Sequence, residues 1–264
     1  MKKILFFAIA LVAGVLAFTS CDPNNPDNPQ EVSSIKELVG TMWRVDSCII
    51  EDHHVGMDLV FEIKSETSFQ DLNETEPCSM SIENHVVTAD WVRMPIVAKV
   101  EKATSEFIHL VGVNEPMHIY ISRIPEPNNE KRELTKENIV GTWKGDYYEE
   151  WGIYTSGDHW YRVLSSMSYH GTDIFIFHED GTLDYINAVE QAYDPENYQP
   201  TKEKWEIIDG KLALGYPDPE IQGWKSWQIG TVEVLTTNVL QLRRHDSEAT
   251  FGTQDYVDHF HKIK

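Results

Sequence analysis

Two ten-residue segments of this chain are similar to each other. Residues 34–43 read Ser-Ile-Lys-Glu-Leu-Val-Gly-Thr-Met-Trp, and residues 134–143 read Leu-Thr-Lys-Glu-Asn-Ile-Val-Gly-Thr-Trp. Self-similarity at a fixed spacing indicates repeated supersecondary units, so it bounds every later inference about the fold. The chain has 264 residues, which is enough for two modest domains. We therefore expect two copies of one structural unit.

Each copy consists of short strand-like runs separated by turn signals, with almost no helical periodicity. In the first copy the runs are Trp43–Ile50, Met57–Ile63, Ser68–Leu72, Cys78–Ile82, His85–Trp91, Ile96–Val100, Phe107–Val111 and His118–Ile124. In the second they are Trp143–Trp151, Trp160–Ser166, Asp173–His178, Leu183–Val189, Lys204–Ile208, Lys211–Leu214, Ile229–Leu235, Val239–Arg243 and Tyr256–Ile263. This pattern predicts an all-β protein with two tandem small antiparallel β-barrels, each preceded by a short capped helical turn.

Composition divides the chain into five segments. We predict a signal peptide at 1–20, a flexible tether at 21–33, a first β domain at 34–125, a linker at 126–133 and a second β domain at 134–264. The tether is dominated by Pro and Asn and has no apolar period, so we expect it to be extended. The linker is polar, with the composition expected at a domain boundary.

The N-terminal segment predicts export and attachment to a membrane. Lys2 and Lys3 precede the apolar run Ile4–Phe18, which has the length of a signal peptide. The residues before Cys21 resemble the lipobox of bacterial lipoproteins, although Phe18 stands where leucine is usual. The resemblance implies lipid attachment at Cys21 and a place in the bacterial cell envelope, which we expect to be the outer membrane. The alternative is an ordinary secretory peptide with an incidental cysteine.

Charge excludes some classes of partner. The chain carries 43 acidic and 22 basic side chains, a formal net charge of −21. Such a protein should be repelled by nucleic acid and by anionic headgroups. Contact with a membrane must therefore come through the N-terminal lipid, and we expect no nucleic-acid partner.

Two further cysteines, Cys48 and Cys78, follow the predicted export signal. An oxidising envelope permits a disulfide between them, and closing a loop of this length would stabilise the fold by about 3–4 kcal/mol. Two buried thiols are an equally good interpretation. No Cys-x-x-Cys or mixed Cys/His spacing predicts a metal site.

The opening of each copy resembles a known family. Gly141-Thr142-Trp143 after a short capped turn resembles the Gly-x-Trp opening of lipocalins, and the later strand order resembles lipocalin-like domains of Bacteroidota envelope lipoproteins. The resemblance implies that the opening tryptophan closes one barrel end against a basic residue of the last strand. By position, the pairs are Trp143 with Lys262 and Trp43 with Arg123. Met42 is an extra residue in the first copy, so we predict a β-bulge near Thr41-Met42.

Candidate ligand contacts are aromatic. Trp151, Trp160, Trp224 and Trp227 lie near loops of the second copy, where rings often stack on sugars or cover apolar ligands. The alternative is that they cover the barrel ends. His259 and His261 share a strand face, as in some zinc sites, but we expect no metal because the sequence offers no evident third ligand. We also expect no cofactor.

Three hypotheses follow for function. The first is a lipid-anchored binding module for a small apolar or glycan ligand. The second is a structural or interaction lipoprotein that contacts another envelope protein. The third, a carboxylate-dependent hydrolase, requires two inward carboxyl groups in one cleft. We predict that the protein is not an enzyme and identify no catalytic residue, since the Gly-x-Ser-x-Gly, His-Glu-x-x-His and phosphate-loop motifs are absent.

Overall fold

The predicted fold class is confirmed. The computed structural model describes residues 32–263 except 56, 92–93, 166, 169–170, 188–190, 192–195, 219–222 and 247–251. Within these residues the chain forms two closed, eight-stranded antiparallel barrels and very little helix. The predicted signal peptide, Cys21 and most of the predicted tether lie outside the described residues.

The first barrel occupies residues 42–124. Its strands are β1 (Met42–Ile50), β2 (His53–Val55), β3 (Val60–Ser65), β4 (Ser68–Asp71), β5 (Cys78–Glu83), β6 (Val86–Trp91), β7 (Met94–Ala103), β8 (Phe107–Gly112) and β9 (Met117–Ile124). Neighbours along the sheet are antiparallel, and β9 pairs with β1 to close the barrel. β2 and β3 pair with the same edge of β1, at its end and at its beginning. β2 therefore forms a short hairpin with β1 and is not a ninth strand of the closed barrel.

The second barrel repeats this arrangement. Its strands are β10 (Gly141–Tyr154), β11 (His159–Ser165), β14 (Ile174–Phe177), β15 (Thr182–Ile186), β16 (Thr201–Ile208), β17 (Lys211–Asp218), β18 (Gly223–Leu235), β19 (Val239–Asp246) and β20 (Gly252–Ile263), with the short pair β12 (Met167–Ser168) and β13 (Gly171–Thr172) outside the main sheet. β20 closes the barrel on β10, and β11 takes the place of β2. Strands β10, β18 and β20 are longer than predicted.

Both barrels open with the capped turn that the repeated phrase predicts. The first turn spans Ile35–Leu38 with Ser34 as its N-cap, and α1 spans Lys136–Ile139 with Thr135 as its N-cap. In each case the cap oxygen accepts a backbone N–H, which satisfies a donor that the helix leaves free. The turns end at Gly40 (φ +84°) and Gly141 (φ +136°), conformations that favour glycine.

The predicted position of the bulge is wrong. The register of β1 against β9 shifts between Val45 and Ser47, so the bulged residue is Asp46 and not Thr41 or Met42. The second barrel has its bulge at the equivalent Asp146, between Gly145 and Tyr147. The extra residue of the first copy is taken up before β1 begins, in the turn that contains Thr41, and both tryptophans therefore enter their strands in the same register.

The barrels contact each other through these two bulges. Arg44 is 1% exposed, and its guanidinium bonds Asp46 in its own barrel (3.0 Å) and Asp146 in the other (3.0 Å). Arg44 Nη1 also donates to the Gly145 carbonyl oxygen at 2.6 Å. Around this charge cluster, Val60, Ile124 and Val163 form a small shared apolar core. A buried ion pair with additional hydrogen bonds has a defined geometry, which fixes the contact between the barrels.

The linker is also hydrogen-bonded. The Arg132 amide donates to the Leu235 carbonyl oxygen at 2.8 Å, and the Asn128 amide donates to the Asn238 side chain at 3.1 Å. Asn238 donates in turn to the Glu126 carbonyl oxygen at 2.9 Å. The predicted linker thus lies along the turn between β18 and β19, and no strand of either sheet runs through it.

Candidate functional site

The side chains that line the second barrel change from apolar to polar along the barrel axis. Side chains alternate in and out along a strand, so one face of each strand lines the barrel. Near the base, the inward residues are apolar: Trp143, Phe177, Leu212, Leu240 and Phe260. Towards the opposite end they become polar or charged: Tyr148, Glu150, Arg162, Arg244, Gln254, Tyr256 and Asp258. We call this second group the mouth residues.

Two arginine–carboxylate pairs dominate the mouth. Arg162 Nε donates to Glu150, whose side chain is 3% exposed, and Gln254 Nε2 donates to the other Glu150 oxygen at 2.7 Å. Arg244 donates to Asp258 through Nε and, at 2.6 Å, through Nη2. The Arg244 guanidinium also lies 4.8 Å from the Tyr256 ring centroid. Charged groups are seldom buried unless they are paired, and the buried Glu150 carboxylate has such a partner in Arg162.

A cavity of about 790 Å³ connects the mouth residues with the apolar base. Sites for small ligands fall in the range of about 300–1,000 Å³ and combine an apolar wall with a few placed polar groups. Gly145 also lies on this wall. The cavity therefore has the size and the lining of a site for an amphipathic small molecule.

The first barrel contributes to the rim. Asp58, in the segment that leads into β3, lines the cavity of the second barrel. The pKa of the Tyr148 hydroxyl is raised, first by burial, while Arg162 opposes the rise and Asp58 adds to it. Nearby, Asn73 of the first barrel exchanges two hydrogen bonds with the Val163 backbone, at 2.9 and 2.7 Å. Both copies therefore shape the site.

The first barrel has its own cavity, of about 660 Å³, with a different lining. Val45, Phe61, Phe69, Leu110 and Ile119 are typical of its wall. Its polar groups are confined to turns and the chain entry, at Ser33, Ser34, Glu66, Asn84 and His85. No arginine or lysine lines it among the described residues. The two interiors therefore share a fold but differ in chemistry.

The predicted ligand-binding tryptophans occupy different places. Trp160 lies on the inward row beyond the mouth, over Gly152, with the Arg162 guanidinium 5.5 Å from its ring centroid. Trp151 is on the outer face, where Arg243 lies 5.2 Å from its ring centroid, so it does not line the cavity. Trp224 and Trp227 belong to β18, and their side chains lie outside the described part of the structure. Only Trp160 is therefore placed beside the candidate site.

The predicted pairs at the barrel base differ between the copies. Lys262 Nζ lies 5.1 Å from the Trp143 ring centroid and donates to the Val140 carbonyl oxygen at 2.8 Å. In the first barrel Trp43 and Arg123 are direct cross-strand neighbours. The Arg123 guanidinium, however, lies 3.8 Å from the Glu106 carboxylate and 3.7 Å from that of Glu126. Both tryptophans are 0% exposed.

Cys48 and Cys78 are both buried in the first barrel and are not joined by a disulfide. Of the two interpretations that the sequence left open, the structure has the one with buried thiols. Burial raises the pKa of the Cys48 thiol, which disfavours the reactive thiolate.

The histidines of β20 bind carboxylates. His259 Nε2 lies 2.8 Å from Glu149 Oε1, and His261 Nδ1 lies 2.8 Å from Asp146 Oδ1. Within the described ranges, no group of three or more His, Cys, Asp or Glu side chains could hold a metal ion. Also within these ranges, no helix has both the length and the apolar character to cross a membrane.

Sequence reasoning missed most of the site. It favoured aromatic residues near loops, whereas the mouth consists mainly of charged residues within strands. A signal was present in β20, where the inward positions read Gln254, Tyr256, Asp258 and Phe260. Polar residues at alternate positions on the face that should be buried indicate a functional interior.

Comparisons with known proteins give little for function. No family model matches the chain, and no curated protein matches it. One similar solved structure is a double mutant of the vaccine antigen transferrin binding protein B from Haemophilus parasuis Hp5, with a TM-score of 0.28 and 10% identity over 84% of this chain and 45% of that protein. Another is a DUF3598-family protein of unknown function from Nostoc punctiforme PCC 73102, with a TM-score of 0.24 and 9% identity over 88% of this chain and 100% of that one.

This chain thus spans less than half of the transferrin binding protein with which it was compared. Both TM-scores lie below 0.5, so neither structure carries an argument about ligand or partner. What the chain itself shows is a tandem-barrel fold, which is compatible with a binding or interaction module.

Proposed function

We propose that this protein is a lipid-anchored, non-catalytic binding protein of the bacterial envelope, and that its ligand occupies the cavity of the second barrel. The observation that carries the proposal is the change of lining along that barrel, from an apolar base to paired charges at the mouth. An amphipathic molecule matches both halves, since its apolar body would lie against Phe175, Leu214 and Leu242 and its head would meet Arg162 and Arg244.

Charge at the mouth favours a charged head over a neutral one. Arg162 has a side chain that is 56% exposed, so it can turn from Glu150 towards a ligand carboxylate or phosphate. Arginine binds such groups bidentately, and displacing one carboxylate partner by another keeps the guanidinium paired. Glu150 and Asp258 accept hydrogen bonds from Arg162 and Arg244. The proposal is non-catalytic because both carboxylates are engaged by arginines.

A series of probes with one chain and different heads tests the binding proposal. Hexadecanoate, hexadecyltrimethylammonium and hexadecanol would be titrated into the protein while tryptophan fluorescence and melting temperature are recorded. We expect hexadecanoate to bind more tightly than the alcohol, and Arg244→Gln with Arg162→Gln to abolish that preference. Equal binding of all three probes, or a preference unchanged in the double variant, would contradict the proposal.

Attachment through Cys21 is tested separately. Cells expressing the chain would be labelled with an alkyne fatty acid, beside a Cys21→Ser variant. Label on the wild type and its loss from the variant would support the anchor. Equal labelling, or none on either chain, would leave a secreted binding protein and refute this part of the proposal without touching the cavity.

A further inference from the structure

The outer face of the first barrel carries an unusual pair of imidazoles. In strands β8 and β9, the buried residues Ile108, Leu110, Ile119 and Ile121 point into the barrel. Alternation then puts His109 on the outer face of β8 and His118 on the outer face of β9. His109 Nε2 lies 3.1 Å from His118 Nδ1, and the two ring planes differ by 19°.

Neighbouring rings fix the orientation of this pair. Tyr120 is the cross-strand neighbour of His109 and stacks on it, with centroids 4.5 Å apart and planes within 7°. Phe107 packs against Tyr120 in turn, at 6.3 Å. Aromatic contacts of this kind restrict ring rotation, so both nitrogens are held before any ligand arrives.

We propose that His109 and His118 form a binding site for a late first-row divalent transition-metal ion, Cu²⁺ in preference to Zn²⁺. Bonds of about 2.0–2.1 Å from a metal to two adjacent imidazole nitrogens place those nitrogens roughly 2.9–3.4 Å apart, for ligand angles between square-planar and tetrahedral. The observed separation of 3.1 Å already lies inside that range. When the ion binds, the proton between the two facing nitrogens moves to the other nitrogen of the same imidazole, so both rings stay neutral and both facing nitrogens offer a lone pair.

The surrounding charge adds to the attraction. Glu101 lies at the bulge of β7, close enough for its charge to act on His109, and the chain as a whole has a net charge of −21. Lys102, the cross-strand neighbour of His109, opposes binding. Since no third protein ligand lies within reach among the described residues, water or an external ligand completes the coordination. The order of divalent-metal affinities at nitrogen sites puts Cu²⁺ above Zn²⁺.

Calorimetric titration of the metal-free full chain, without a polyhistidine tag, tests the site. Cu²⁺ and Zn²⁺ would be added to the wild type and to His109→Phe and His118→Phe, which keep a ring in the stack but remove the nitrogens. We expect Cu²⁺ affinity at this site to fall by about 10–100-fold or more in each variant, because even loss of an indirect metal-site partner costs that much. His85→Gln, in the turn between β5 and β6, is the matched control and should leave the site intact.

A spectroscopic measurement and two charge variants test the metal site further. Electron paramagnetic resonance of bound Cu²⁺ should show two nitrogen ligands in the wild type and one in each Phe variant. Lys102→Gln should strengthen binding, and Glu101→Gln should weaken it. Identical isotherms for the wild type and both Phe variants would mean that the histidines serve packing alone, and would overturn the proposal.

Discussion

The two barrels place different residues at equivalent inward positions. When the two copies are aligned on the tryptophan and the bulge, Cys48 corresponds to Tyr148 and Ile50 to Glu150. On the last strand of each barrel, Ile119 corresponds to Asp258 and Met117 to Tyr256. Near the base both copies are apolar, as with Ile121 and Phe260. Towards the mouth the first copy stays apolar while the second becomes polar. The fold therefore tolerates either interior, and this difference is the reason why we propose the second copy as the ligand site.

The largest loss of stability is expected when the first barrel receives a charged residue from the equivalent position of the second. Ile119 is 1% exposed, and Ile119→Asp would bury a carboxylate without the arginine that Asp258 has. We expect a loss of more than about 4 kcal/mol in the free energy of unfolding, measured by urea denaturation. Ile119→Val, the control, should cost about 0.5–1.5 kcal/mol. A loss of that smaller size for Ile119→Asp would mean that the first interior also accommodates charge.

A second comparison concerns the residue two positions before each bulged aspartate, Arg44 in one copy and Lys144 in the other. Arg44→Ala leaves Asp46 and Asp146 without their shared guanidinium, and we expect a loss of about 3–5 kcal/mol in the free energy of unfolding. Lys144→Ala should cost less, since burial and the charge of Arg44 lower the pKa of Lys144 and so disfavour its charged form. Equal losses would show that the two positions act symmetrically.

A third comparison is at the barrel base. Lys262→Met removes the cation over Trp143 and the hydrogen bond to Val140, and we expect a loss of about 1 kcal/mol. Arg123→Met, the counterpart, removes contacts to exposed Glu106 and Glu126 and should cost about 0–1 kcal/mol. Thermal melting of both variants measures the difference. A larger loss for Arg123→Met would contradict the expectation that Lys262 contributes more stability than Arg123.

The sequence predicted the two barrels better than the position of the bulge and the residues that line the second barrel. The paired openings and the alternation of apolar residues gave the barrels and most strand positions, because these patterns follow directly from strand geometry. The bulge was misplaced because the sequence shows that Met42 is extra but not where the backbone absorbs it. The mouth was missed because Glu150 and Arg162 meet only through the pairing of β10 with β11, and Arg44 meets Asp146 only once both barrels are folded.

The smallest expected effect concerns pH. A hydrogen bond from His259 is the main cause that lowers the pKa of Glu149 below 4.5, and the first copy has Ile49 at the equivalent position. A lowered folded-state pKa contributes stability above the unfolded value, and this contribution is lost as the pH falls through the folded value. We expect urea denaturation at decreasing pH to show this loss in the wild type and a shallower dependence in Glu149→Gln. An equal pH dependence in the wild type and in Glu149→Gln would mean that other carboxylates cause the loss of stability at low pH.

The proposed function requires that the second barrel holds the ligand, and one matched pair of variants tests this directly. Leu242→Trp fills the cavity of the second barrel, and Leu110→Trp fills that of the first. Calorimetric titration with the tightest-binding charged hexadecyl probe should show that Leu242→Trp abolishes binding and that Leu110→Trp leaves it unchanged, with both variants folded by circular dichroism. Binding that is lost in Leu110→Trp and kept in Leu242→Trp would contradict the account.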